Sequence, residues 1–260
     1  MSGGGLIYVF LGFFGGLYLI FDGTRKHLLV QKITNTPTSK VRSAAVGLVE
    51  LHGAARCKGE MVSPVAKTKC GFWRIIAQFY KSGKHGGWRT FYKIDSTSPF
   101  YLEDNTGKIL VDPKGAKVEI PQDHKYQGYI SGKGLFGMKH KKIDEKVLKY
   151  IEEQEEKIRR KFDNYKNLNV RVFEYYVADG DEVYVLGDAE IKDDEKSDVG
   201  YKNLVVKKGK YEKVMYISDR AERKIVYSLE SSVRNYIVGG LILSSICLML
   251  LLLFSGIMKP

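Results

Sequence analysis

Apolar residues are massed at the two ends of this chain and alternate with polar ones between them. Met1 to Phe21 carries no charge, and the apolar run Leu6–Phe21 lies at its centre. Tyr236 to Met258 is a second uncharged stretch, and Ile246 to Phe254 within it is too apolar for an ordinary core helix. A helix of about 20 apolar residues spans a bilayer core. The pattern therefore predicts membrane-spanning helices over residues 1–21 and 236–258. A cleaved signal peptide is the rival for the first of them, but it needs a basic start and a small-x-small cleavage site. Met1-Ser2-Gly3-Gly4-Gly5 holds no Lys or Arg, and Asp22-Gly23-Thr24 is a poor cleavage site, so an uncleaved anchor is expected. Gly12 and Gly16 form a G-x-x-x-G, and Gly240 and Ser244 a looser version, a spacing that lets helix backbones approach closely. The pairing expected is either of the two anchors with each other or of two copies of the chain.

Between the anchors the period changes. Residues 22–40 read as a linker ending in Thr36-Pro37-Thr38-Ser39-Lys40. Residues 41–218 read as one domain. Short β-rich runs follow at 45–55, 70–80, 88–94, 100–103, 108–111 and 116–120, divided by Gly, Pro, Asn and Asp turns. Apolar residues then recur at threes and fours from Ile143 through Val147, Ile151, Ile158 and Phe162 to Tyr165, predicting one amphipathic helix over about 143–166. Strands resume at 170–177 and 182–190, and Asp179-Gly180 between them signals a hairpin. Two more short strands fall between Leu204 and Ile217, and residues 219–235 read as a helical stalk. The fold class expected is α+β, mainly β with one long helix: an antiparallel barrel or sandwich between two membrane helices. Val49–Ala55 and Tyr184–Ala189 both end a strand with Leu, then Gly-x-Ala, and could pair as related barrel strands.

Charge narrows the setting. The chain carries a formal net charge of +12. Such an excess suits a surface near anionic lipid. Nucleic acid is the other partner of basic proteins, but the cations here form no dense stripe, and none is expected. Arg25, Lys26 and Lys32 follow the first anchor, and Arg220, Arg223, Lys224 and Arg234 precede the second. Basic flanks stay cytoplasmic, so the domain is expected on the cytoplasmic side.

Catalytic chemistry is thin. Cys57, Cys70 and Cys247 make no disulfide framework and no zinc spacing. Gly132-Lys133-Gly134-Leu135-Phe136-Gly137 matches G-x-G-x-x-G but lacks the strand–turn–helix that a dinucleotide site needs, and reads as a basic loop. Asp179, Asp181, Glu182 and Asp188 read as solvated turn carboxylates. No catalytic, cofactor or metal residues are expected. Trp73 and Trp88 are expected to face one another or the core across their hairpin. With Arg89 they form the candidate partner surface.

Several stretches together resemble the GIDE domain: Gly47-Leu48-Val49-Glu50-Leu51-His52-Gly53-Ala54-Ala55, Gly87-Trp88-Arg89, Pro99-Phe100-Tyr101-Leu102-Glu103-Asp104, Val111-Asp112-Pro113 and Asp179–Gly187. This domain lies between the membrane spans of mitochondrially anchored RING ubiquitin and SUMO ligases. The resemblance implies a tethered domain that engages substrates or partners. In those ligases a zinc-binding RING follows the second span. The sequence here runs to Lys259-Pro260 with no counterpart of the RING cysteines, so ligase activity does not carry over. Proteins of this layout resemble those of archaea and bacteria. The expected function is a non-catalytic scaffold that binds a protein or lipid partner at the membrane. An accessory of a ubiquitin-like conjugation system is the alternative.

Overall fold

The computed structural model describes residues 3–134, 137–192, 200–209, 215–218 and 222–254. Leu135 and Phe136 of the glycine-rich loop, most of the charged 192–202 segment, the start of the stalk and the last residues of the second anchor lie outside them. The chain divides into two units, residues 1–37 with 221–260, and residues 38–220.

The first unit is a pair of helices, α1 (Gly3–Thr34) and α4 (Glu222–Phe254). Each contains a stretch long and apolar enough to cross a membrane, Ile7–Leu28 and Val233–Leu253. Their large apolar side chains point outward, Tyr8 being 76% exposed and Leu11 64%. The helix of the first anchor is longer than expected, because residues 22–34 are not a linker. Asp22 and Lys26 pair one turn apart at 2.6 Å, and Thr24 and Thr34 return their hydroxyls to carbonyls four residues back. The helices meet where they have no side chains. A Cβ on Gly16 would sit 2.8 Å from the Ser244 nitrogen, and one on Gly240 2.7 Å from the Gly16 carbonyl oxygen. Gly12 lies against the Cys247 sulfur, and buried Ser244 donates to the Gly240 oxygen at 2.8 Å. Close backbone approach through small residues is how apolar helices pack without a hydrophobic gradient.

The second unit has two sheets. One holds β1 (Thr38–Ser39), β2 (Gly47–Arg56), β5 (Phe100–Asp104), β6 (Gly107–Val111), β7 (Lys117–Glu119), β10 (Glu182–Ile191), β11 (Leu204–Lys207) and β12 (Tyr216–Ser218). Because β10 pairs with both β2 and β11, the path β2–β5–β6–β11–β10 closes on itself as a barrel. The barrel is antiparallel except at β6–β11, which is parallel. The two strands with related endings do pair, Leu51 opposite Val185 and Gly53 opposite Val183. Leu51, Phe100, Leu102, Val185 and Val206 fill the interior. Asp104 ties the β5–β6 turn to the chain entering the barrel, accepting from the Val41, Thr106 and Gly107 amides. Burial pushes its carboxyl up, but the Thr106 hydroxyl and these amides outweigh burial and hold it below the usual aspartate range.

The other sheet runs β4 (Gly87–Asp95), β3 (Cys70–Lys81), β9 (Val170–Ala178), β8 (His124–Gly128). Its inner face packs against two helices, α2 (Glu145–Glu152) and α3 (Glu156–Asp163). The single helix expected over 143–166 is thus broken. The apolar stripe has a gap at Gln154-Glu155, so the turn there has nothing to bury. Gln154 instead caps the freed Tyr150 carbonyl at 3.2 Å. The Asp179-Gly180 hairpin does not form either. β9 and β10 belong to different sheets, and the turn hands the chain from one to the other. Gly180 donates to the Ala55 carbonyl and the Asp181 carbonyl accepts from the Ala55 amide, which draws the turn to the end of β2.

Candidate partner surface

Period-two alternation decides what the four-stranded sheet shows to solvent. Ile75, Ala77 and Phe79 of β3 and Val170 and Val172 of β9 face α2 and α3. Ile76, Gln78, Tyr80, Arg171 and Phe173 face the other way. β4 adds Trp88 and Thr90 to this outer face through a bulge: Ala77 pairs with Tyr92, yet Gln78 pairs with Thr90. The extra residue Phe91 joins Tyr92 on the core side. In a regular strand Trp88, Thr90 and Tyr92 would share one face.

Arg171 is the centre of the outer face. Its guanidinium carbon lies 4.1 Å from the Trp88 ring centroid and 4.9 Å from that of Phe173. Its Nε donates to Gln78 Oε1 at 2.7 Å, and Gln78 Nε2 donates to Thr90 Oγ1 at 2.9 Å. Tyr80 meets Trp88 edge-on at 5.5 Å and is 45% exposed. By register Lys93 stands opposite Ile76 and Lys125 opposite Phe173, both exposed. Asp95 is the carboxylate of this face among the described residues, and Arg74 holds it with two bonds of 2.7 and 2.8 Å. No carboxylate among the described residues pairs with Arg171. Two rings and a side-chain acceptor thus fix a planar cation with its terminal nitrogens left for another group. A fork so held is suited to a carboxylate, which it can meet with two parallel bonds. Half-buried Trp88 and Arg171 beside exposed Tyr80 are also the residue types that carry binding energy at protein interfaces.

The three residues expected to form a partner surface are not together. Trp88 belongs to this face. Trp73 lies on the opposite one, against the α2/α3 core, at the far end of the strand pair, where its backbone amide donates to Ser96 Oγ at 3.0 Å. The two tryptophans therefore do not face one another. Arg89 is opposite Phe79 and so points to the helix side, exposed. Sequence reading missed Arg171 and Phe173, although their parity is legible: Arg171, Phe173 and Tyr175 alternate with Val170, Val172 and Glu174.

Elsewhere the chemistry is quiet. Burial is the main cause that pushes the Cys57 thiol to about 11 and the Cys70 thiol to about 12, so neither is poised as a thiolate nucleophile. A cleft of about 290 Å³ is lined by Asp123, Asp181 and Glu182 with Ile120, Pro121, Tyr176, Val177 and Val183. Two of its acids serve the backbone: Asp123 accepts from the Tyr176 amide and Asp181 from the Ala178 amide. Among the described residues no three His, Cys, Asp or Glu side chains are placed to hold a metal.

Residues 77–253, from the middle of β3 to the end of α4, match the GIDE family, described as E3 ubiquitin ligase. The chain belongs to the GIDE family. No curated protein and no solved structure matches it. The matched span of this GIDE protein takes in β4, β8, β9 and the last part of β3 of the sheet bearing Arg171, the two short helices and nearly all of the second apolar helix.

Proposed function

We propose that this GIDE protein is a two-span membrane anchor whose domain holds a protein partner on the outer face of the four-stranded sheet. The observation that carries this reading is Arg171, clamped between Trp88 and Phe173 with no carboxylate of its own among the described residues. The partner presents a carboxylate flanked by apolar side chains, which the guanidinium and the surrounding rings take up together. The basic residues at the domain-side ends of both helices support a cytoplasmic domain with both chain ends on the other side.

The test is photocrosslinking in the intact membrane. A photoreactive residue replacing exposed Gln127, which stands opposite Arg171 in the register, is expected to give one discrete adduct. Arg171→Glu should abolish it, and Arg89→Glu, on the other face, should not. An adduct at twice the chain mass would make the partner a second copy. No adduct, or one indifferent to Arg171→Glu, contradicts the reading.

The family's description favours a second reading, an accessory that recruits targets to a ubiquitin-like conjugation system. Under it a conjugated product disappears when the chain is deleted. Unchanged conjugation ends it.

A further inference from the structure

Strand β4 is the last strand on one side of the four-stranded sheet. Two bonds fix which way its backbone points. The Tyr80 amide donates to the Asn169 carbonyl, just before β9, at 2.9 Å. The Ser96 amide, just past β4, donates to the Trp73 carbonyl at 2.8 Å. Successive residues of a strand turn their backbone groups to opposite sides. Odd-numbered residues of β3 therefore bond toward β4 and even-numbered ones toward β9. Phe79 stands opposite Arg89, while Gln78 and Tyr80 stand opposite Thr90 and Trp88. Arg89 thus bonds to β3, and the N–H and C=O groups of Trp88 and Thr90 point away from the sheet. Among the described residues no backbone bond outside the β3 ladder reaches residues 87–95. Such a row of groups is a template for one more strand.

The edge is also basic. From Lys81 to Asp95 the sequence holds Lys81, Lys84, Arg89 and Lys93 against one carboxylate, Asp95, which Arg74 occupies. All four cations are exposed, and among the described residues none is ion-paired. We infer that the free edge of β4 takes an extended acidic segment of a protein partner as an added strand. The inference rests on the partner reading of the Arg171 face, because the added strand borders Trp88 and sends alternate side chains onto that face. Its other side chains lie beside Arg89. Charge selects the occupant. Opposite charges across a strand pair stabilise it and like charges weaken it, so glutamates or aspartates suit this edge. A second copy of β4 sets cations against cations. The bulge at Phe91 interrupts the edge and discourages long apolar strands, leaving the piece with Trp88 and Thr90 next to Arg171.

The probe is a fluorescent peptide of about eight residues alternating Glu and Val, blocked at its ends and added to the full chain in detergent. Anisotropy is expected to show saturable binding, weakened about tenfold when Lys replaces every Glu. Thr90→Pro removes an edge N–H that the β3 ladder does not use, and should weaken binding about tenfold. Thr90→Val loses the same hydroxyl contact with Gln78 but keeps the N–H, and should stay within about twofold of wild type. N-methylation of all the peptide amides keeps its charges and should abolish binding to the wild-type chain, an arm that holds even if Thr90→Pro misfolds. No saturable binding, equal binding of the Lys peptide, or undiminished binding of the methylated peptide overturns the inference. So does undiminished binding to a folded Thr90→Pro chain. The Gln127 adduct separates the two levels. An adduct abolished by Arg171→Glu but kept by Thr90→Pro defeats the inference alone. No adduct, or one indifferent to Arg171→Glu, defeats the partner reading and the inference with it. An adduct at twice the chain mass gives the surface to a second copy and also overturns the inference.

Discussion

Glu174→Ala is expected to destabilise the domain by about 2–6 kcal/mol, since it leaves two inward-facing amides without an acceptor, at about 1–3 kcal/mol each. Glu174 is 0% exposed, inside the sheet beside a packed apolar core. Its Oε1 accepts from the Val65 amide at 2.8 Å, and its Oε2 from the Ala66 amide at 3.0 Å. Those amides belong to the connection between β2 and β3, which is closed further by Ser63 and Thr68. Lys67 adopts φ +60° there, unusual for a residue with a side chain. The carboxylate thus replaces the ladder partner that this connection lacks. Glu174→Gln keeps one carbonyl oxygen but turns an NH2 group toward an N–H donor, so an intermediate loss is expected. Urea unfolding of the full chain in detergent, followed by Trp73 and Trp88 emission, gives the order wild type, Glu174→Gln, Glu174→Ala. A loss below about 0.5 kcal/mol for the alanine variant would show that these amides find water or another acceptor.

Phe162→Ala is the second large effect, with an expected loss of about 3–5 kcal/mol. Phe162 is 0% exposed and meets Phe91 at 5.2 Å and Tyr92 at 5.3 Å, both edge-on. It is the anchor that holds α3 on the sheet, together with Tyr165, which stacks on Phe79 at 4.3 Å. Helix α3 is only 8 residues long, too short to hold its shape without this contact. Truncation should therefore strip α3 of hydrogen-exchange protection while the barrel strands keep theirs. Uniform loss of protection across both sheets would mean that the two cores unfold as one. Protection of α3 equal to wild type would contradict the anchoring role.

These two residues show where the sequence was legible and where it was not. Glu174 has the parity of Val170 and Val172, so alternation alone sends a carboxylate inward. Its acceptor role was hidden because Ala66 is 108 residues away along the chain. Phe162 was legible as a stripe position, but the break before it was not. Periodicity records which face is apolar and passes over one missing turn. The barrel strands were readable as short β-rich runs with turns marked by Asp, Asn, Pro and Gly, although β10 does not alternate and is buried on both faces from Val183 to Gly187. Strand β8 was not, since His124-Lys125-Tyr126-Gln127 is polar enough for a loop and is paired on one side only. The Arg171 face depends on a bulge at Phe91, and a bulge has no signature in a single sequence. For the same reason Trp73 and Trp88 read as partners and are not.

The reading proposed for the Arg171 face depends on α1 and α4 tying the domain to a membrane at each end. Alkaline carbonate extraction of three chains tests that claim most directly: the full chain, one lacking residues 1–34 and one lacking residues 222–260. The account expects all three to stay in the membrane pellet, because each apolar helix suffices as an anchor, and a chain lacking both to be released. Release of the full chain, or of either singly truncated chain, would contradict a two-span protein.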